Sequence, residues 1–96
     1  MRIAIYGRKI ESPHLSTFNK LIEQLKALDI EFVLYTELSH FLNRKVGMKE
    51  PYAEFTTIEG LEGNVDLVMS LGGDGTFLDA AHLIKESNIP IIGINM

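Results

Sequence analysis

Val65-Asp66-Leu67-Val68-Met69-Ser70-Leu71-Gly72-Gly73-Asp74-Gly75-Thr76-Phe77-Leu78 is the stretch that decides the fold. Val65 to Leu71 reads as a strand that is largely apolar on both faces, the pattern of a strand covered from two sides. It feeds straight into Gly72–Gly75, three glycines in four residues. A helix opens near Thr76, with Phe77, Leu78, Ala81 and Ile84 on one face. Asn88 and Pro90 stop it. Ile89 to Ile94 reads as a closing strand with Gly93 inside it.

The rest of the chain repeats this alternation. Ile3 to Tyr6 is a short apolar run ending at Gly7, again a buried strand. Ser12-Pro13 breaks the chain. Phe18, Leu21, Ile22, Leu25 and Leu28 then recur at spacings of three and four, one apolar stripe on a helix. Ser16 stands where an N-cap belongs and Asp29 at the exit. Phe32 to Tyr35 reads as a second strand and Glu37 to Asn43 as a weaker helix. Residues 44–63 are punctuated by Gly47, Pro51, Gly60 and Gly63, with Phe55-Thr56-Thr57-Ile58 as a short strand among them. Apolar strands alternating with helices predict an α/β fold: a Rossmann-like three-layer domain with a mostly parallel sheet. Ligands of such sheets sit beyond the carboxyl ends of the strands, where the strand order reverses. Gly7-Arg8-Lys9 and Gly72–Gly75 are the two candidates for that edge.

Composition narrows the function classes. Ninety-six residues make one small domain, 46% hydrophobic and 23% charged, which excludes disorder. A formal net charge of −4 is no nucleic-acid footprint. No apolar run approaches the ~20 residues of a membrane helix. The start lacks a signal-peptide core, so a cytoplasmic location is the expectation. There are no cysteines, which excludes disulfides and thiolate metal sites. His14, His40 and His82 are not at metal-ligand spacing and read as surface or helix-face residues; no metal-binding residue is assigned.

The glycine-rich turn carries the chemistry. Successive amides in such a turn can converge on an anion, and the following helix adds its positive end. There is no Gly-x-x-x-x-Gly-Lys-Ser/Thr and no Gly-x-Gly-x-x-Gly, so it is neither a P-loop nor the usual dinucleotide fingerprint. Asp74 in its centre would repel phosphate. It must hold a metal, accept a proton, bind a hydroxyl, or cap the helix. Phe77 is either a pocket wall or a core aromatic. Arg8 and Lys9 are either phosphate contacts or a solvated basic pair. Asn95 is either a site residue or a strand-end turn residue. Asp79, placed by this reading on the helix's first turn, favours the helix dipole.

Leu71-Gly72-Gly73-Asp74-Gly75-Thr76-Phe77-Leu78 resembles the Gly-Gly-Asp-Gly signature of the NAD kinase family. Related motifs occur in diacylglycerol and sphingosine kinases and, in variant form, in phosphofructokinases. Ile89-Pro90-Ile91-Ile92-Gly93-Ile94-Asn95 resembles the family's next strand, and Ile3-Ala4-Ile5-Tyr6-Gly7-Arg8-Lys9 its first strand and turn. The resemblance implies that residues 1–96 are the amino-terminal nucleotide-binding α/β domain of an NAD kinase. Met96 falls inside the Gly-Ile-Asn-x-Gly element, so a carboxy-terminal β-rich domain is expected outside this chain. By resemblance the enzyme transfers a phosphoryl group from ATP or polyphosphate to the 2′-hydroxyl of the adenosine ribose of NAD, giving NADP. Asp74 is then the catalytic proton acceptor. Gly72, Gly73, Asp74, Gly75, Thr76, Phe77, Arg8, Lys9 and Asn95 form the nucleotide site. Mg²⁺ or another divalent cation accompanies ATP, NAD and ATP are the substrates, and the whole enzyme is expected to be a homo-oligomer. This chain alone is expected to be catalytically silent. Two other readings stand beside it: a nucleotide-binding regulatory module without catalysis, and a lipid kinase of the diacylglycerol-kinase type.

Overall fold

The computed structural model describes residues 1–45, 52–57, 59, 61, 63–85 and 87–96. Its elements are β1 (Arg2–Tyr6), α1 (Leu15–Ala27), β2 (Glu31–Tyr35), α2 (Thr36–Lys45), β3 (Glu54–Phe55), β4 (Leu67–Leu71), α3 (Asp74–Ile84) and β5 (Ile91–Ile94). The strands form a single sheet in the order β3-β2-β1-β4-β5. All four pairings are parallel. The expected three-layer α/β architecture is therefore present.

Pleating sorts the strand residues onto two cores. Ile3, Ile5, Leu34, Met69 and Leu71 face one way and meet Phe18, Ile22 and Leu25 of α1 and Leu38 and Leu42 of α2. Ala4, Tyr6, Val33 and Val68 face the other way and meet Ala80 and Ile84 of α3, with Phe55 and Leu61 beside them. Ile5, Leu34 and Val68 are fully buried. Each such side chain contributes about 1.5–3 kcal/mol through its removal from water. On the second face Tyr6, Tyr35 and Phe55 form an aromatic row, with ring centroids 4.5 Å and 5.5 Å apart.

Several boundaries differ from the sequence reading, each for a physical reason. Ser12-Pro13 does not break the chain. Ser12–His14 form a 3-10 turn with proline in its first positions, and the His14 N–H donates to the Glu11 carbonyl at 2.8 Å. That turn winds directly into α1, so His14 takes the N-cap position and Ser16 lies inside the helix. At the other end Asp29 adopts φ 58°. Its N–H donates to the Lys26 carbonyl at 3.1 Å and the Ile30 N–H to the Leu25 carbonyl at 2.9 Å, a complete Schellman closure. Leu28, counted in the stripe, is exposed at this terminus.

β3 covers Glu54–Phe55 only, paired to Leu34 and Tyr35. Ile58, Gly47, Pro51 and Gly60 lie outside the described residues, while Gly63 turns the chain at φ 73°. β4 begins at Leu67, two residues later than read. Asp66 precedes it, its carboxylate accepting from the Arg2 N–H at 2.9 Å. α3 begins at Asp74 rather than near Thr76, and it buries Ala80 and Ile84. Phe77 and Leu78 remain exposed in the amino-terminal part of α3. β5 starts after Pro90, whose carbonyl accepts from the Val68 N–H at 2.9 Å.

Candidate functional site

The strand order places β1 beside β4, which the chain visits only after crossing back over β1 from β3. Their carboxyl ends are therefore the reversal point where ligands of such sheets bind. Gly7 follows one strand and Gly72 the other. A Cβ on Gly7 would lie 3.3 Å from the Leu71 carbonyl oxygen, so the two turns approach closely because Gly7 has no side chain.

The three glycines of the turn have separate duties. Gly72 sits at φ 142°, a conformation L side chains rarely adopt, and a Cβ there would meet Thr76 Oγ1 at 2.9 Å. Its N–H donates to the Ile94 carbonyl at 3.0 Å, which ties the turn to β5. Gly73 is the N-cap of α3, and its carbonyl accepts the Phe77 N–H at 3.1 Å. A Cβ on Gly73 or Gly75 would meet nothing within 4 Å. These two glycines therefore keep open the space in front of the helix terminus.

The geometry decides what Asp74 is not. It occupies the first helical position behind Gly73, and no side-chain hydrogen bond caps the helix. Its carboxylate is exposed, and among the described residues no hydrogen bond or ion pair engages it. It gains from the positive end of the helix, but its acceptor atoms remain open to solvent and ligand.

Two adjoining hollows share Gly72 and Gly73. One, about 220 Å³, is bordered by Arg8, Lys9 and Thr76. The other, about 160 Å³, is bordered by Asp74, Phe77, Gly93 and Asn95. Every predicted site residue except Gly75 thus lines one or the other, and Gly75 stands exposed next to Asp74. Phe77 is neither buried in the core nor free. Its ring lies over Gly93, where a Cβ would come within 2.9 Å of Cδ2. A larger, more open depression of about 500 Å³ lies at the opposite, amino-terminal edge of β4, around Val65, Asp66 and Asn88. It lacks the reversal point and the helix terminus, and Asp66 is already engaged by the backbone of β1.

The electrostatics were not legible beforehand. Arg8 Nη1 donates to Glu37 Oε1 at 2.8 Å, and Nη2 reaches Asp79 Oδ2 and the Tyr6 hydroxyl, each at 3.3 Å. The bond to Glu37 foremost, then Tyr6 and Asp79, push the guanidinium still further above its ordinary range. Burial raises the Tyr6 phenol, against the opposing pull of Arg8. Lys9 pairs with Glu11 at 3.4 Å. Asp79 lies beyond the first turn of α3, and its partner is Arg8. Glu37 and Tyr6 are site neighbours that the sequence reading did not include; it took Asp79 only as a helix-dipole residue and Gly93 only as part of a strand motif. Glu37 is 29 positions from Arg8 and Asp79 is 71. No local pattern announces either contact.

Among the described residues, no group of three or more histidine, aspartate or glutamate side chains could hold a metal ion. No helix among them is long and apolar enough to cross a membrane.

Residues 3–96 match the family described as the ATP-NAD kinase N-terminal domain. Relatives named NAD kinase include that of Flavobacterium johnsoniae, 30% identical over 99% of this chain and 32% of its own length. That of Marinomonas sp. is 36% identical over 98% of this chain and 30% of its own length. That of Geobacter sp. is 34% identical over 99% and 31%. The chain spans about a third of the length of the curated relatives it matches. The regulatory-module and lipid-kinase readings draw no support from these relatives. With its Gly-Gly-Asp-Gly turn at the reversal point of a parallel sheet and a family match over nearly its whole length, this chain belongs to the ATP-NAD kinase N-terminal domain family.

Proposed function

We propose that this chain is the amino-terminal nucleotide-binding domain of an NAD kinase, with Asp74 as its catalytic residue. The supporting observation is the uncapped, exposed Asp74 carboxylate at the amino end of α3, on the rim of the hollow bordered by Phe77 and Asn95. A carboxylate in that position can accept a hydrogen bond from a ribose hydroxyl and take its proton. The hydroxyl oxygen then attacks the γ-phosphorus of ATP. The bond from that phosphorus to the β–γ bridging oxygen breaks, and ADP leaves with the electron pair. The products are ADP and NADP; polyphosphate in place of ATP would follow the same course.

The chain's own residues orient and neutralise. The amides at the start of α3 meet the negative charge of a phosphate, and Arg8 and Lys9 stand on the neighbouring hollow. Phe77 offers an aromatic face for a base, held by its contact with Gly93. The divalent cation expected with ATP is assigned to the nucleotide's phosphates, as part of that substrate. A carboxy-terminal β-rich domain completes the site, which leaves this chain alone without turnover. The whole enzyme is assigned to the cytoplasm as a homo-oligomer acting on NAD and ATP.

The test is to incubate the polypeptide of the relatives' full length with NAD and γ-labelled ATP and to locate the label. Label on the adenosine ribose 2′-oxygen is the expected result. No transfer to NAD, or NAD phosphorylation by the 96-residue chain alone, would overturn the corresponding part of the reading.

A further inference from the structure

The two basic residues at the reversal point do not make it electropositive. Arg8 uses both ends of its guanidinium fork on groups of this chain, and these come from three elements. Tyr6 is the last residue of β1, Glu37 is on the first turn of α2, and Asp79 is on α3. Lys9 faces Glu11. Two cations thus stand against three carboxylates, before Asp74 is counted. An anion entering the hollow beside Gly72 and Thr76 meets a guanidinium already committed to two competitors. The arrangement is nonetheless exchangeable. The side chains of Arg8, Glu37 and Asp79 are 45%, 49% and 49% exposed, so water can take over the carboxylates when they are displaced.

We propose that Glu37 and Asp79 are specificity-determining residues of the phosphate subsite, acting as built-in competitors for Arg8. A lone phosphate offers one group and gains too little to displace two carboxylates. A di- or triphosphate, or the pyrophosphate of a dinucleotide, can engage Arg8, Lys9 and the amino end of α3 at once. Its second and third contacts are then intramolecular and offset the exchange. Arginine suits this role because its planar fork binds phosphate and carboxylate with the same bidentate geometry. The subsite thereby discriminates by ligand charge and reach. This inference rests on the reading of the site as one for nucleotide phosphates. It adds two residues that neither line the hollow nor touch the reacting atoms.

The test titrates the chain with orthophosphate, pyrophosphate and tripolyphosphate at low ionic strength by calorimetry. Wild type, Asp79→Asn, Glu37→Gln, the double variant and Arg8→Gln are compared. Wild type should bind tripolyphosphate at least tenfold more tightly than orthophosphate. Each carboxylate removed should tighten orthophosphate by about three- to fivefold. The double variant should compress the ratio between the two ligands, and adding Arg8→Gln should erase the gain. An unchanged ratio in the double variant, a gain that survives Arg8→Gln, or no polyanion binding by any variant would overturn the proposal. If the double variant fails to fold by circular dichroism, the two single variants carry the same comparison. None of these readouts uses phosphoryl transfer. The proposal can therefore fail while the Asp74 assignment stands, and the reverse.

Discussion

Alanine at the three glycines of the turn separates folding from binding. At Gly72 the new Cβ meets Thr76 Oγ1 at 2.9 Å and Thr76 Cβ at 3.1 Å, and the backbone stands at φ 142°. Holding an L residue in a disfavoured backbone region costs about 1–3 kcal/mol, and overfilling a packed contact about 1–3 kcal/mol. Because relaxing one relieves part of the other, the combined cost is about 2–4 kcal/mol, in the lower half of the range their sum allows. That is a large share of the ~5–14 kcal/mol that a domain of this size holds in total. Gly73→Ala places its Cβ in open space at φ −92° and should cost well under ~1 kcal/mol. Gly75 lies inside α3, where alanine should be neutral or stabilising by up to ~1 kcal/mol. Urea denaturation followed by circular dichroism reads the difference. With a slope of ~1–2 kcal/mol per molar, Gly72→Ala should lower the midpoint by about 2 M, and the other two should leave it nearly in place. Thr76→Ala in the Gly72→Ala background removes the nearest atom and should recover part of the loss. Equal midpoints for Gly72→Ala and Gly73→Ala would refute the division of labour argued for this turn.

Gly93→Ala forces a Cβ into the Phe77 ring at 2.9 Å. Because the Phe77 ring is exposed and can swing aside, the cost should be at most about 1 kcal/mol, and Phe77→Leu in the same chain should remove it. Asp29→Gly relieves the left-handed residue that closes α1 and removes a negative charge from a helix carboxyl end. It should stabilise by about 0.5–1 kcal/mol, a rise of about 2–8 °C in melting temperature. Tyr6 has its phenol raised above 10.0 by burial, so the folded state holds that proton more tightly than the unfolded state. Its stabilisation is complete below pH ~10 and is lost as pH rises through the folded-state value. Tyr6→Phe should therefore flatten the alkaline decline in stability relative to wild type; an identical decline in both proteins would count against the buried-phenol account.

The sheet was legible because its strands are short apolar runs between glycine, proline and helical stripes. Parallel pairing followed from the two-sided burial of Ile3–Tyr6 and Leu67–Leu71. The reversal point was legible for the same reason: only two turns carried glycine next to functional side chains. Helix ends were less so. Ser16 has the chemistry of a cap, but the 3-10 turn at Ser12–His14 starts the helix earlier. The stripe on α3 misled at Phe77 and Leu78, because amphipathic spacing does not show which turns of a helix the core covers. The ion-pair web around Arg8 was invisible, since it joins side chains 29 and 71 positions apart. Gly93 was read as lying inside the closing strand; its contact with Phe77 joins β5 to α3 and has no local signal.

The assignment of Asp74 as proton acceptor requires its carboxylate to act on the reacting hydroxyl rather than on the fold. Its side chain is exposed and uncapped, so Asp74→Asn should leave the circular dichroism spectrum unchanged and lower the urea midpoint only slightly, through loss of the ~0.3–1 kcal/mol its charge gains at the helix terminus. The deciding measurement is the steady-state rate of NADP formation by the full-length enzyme carrying Asp74→Asn. Loss of the proton acceptor should lower kcat by about 10²-fold or more, with the KM for NAD moving far less. A kcat within a few-fold of wild type in the folded variant would contradict the account.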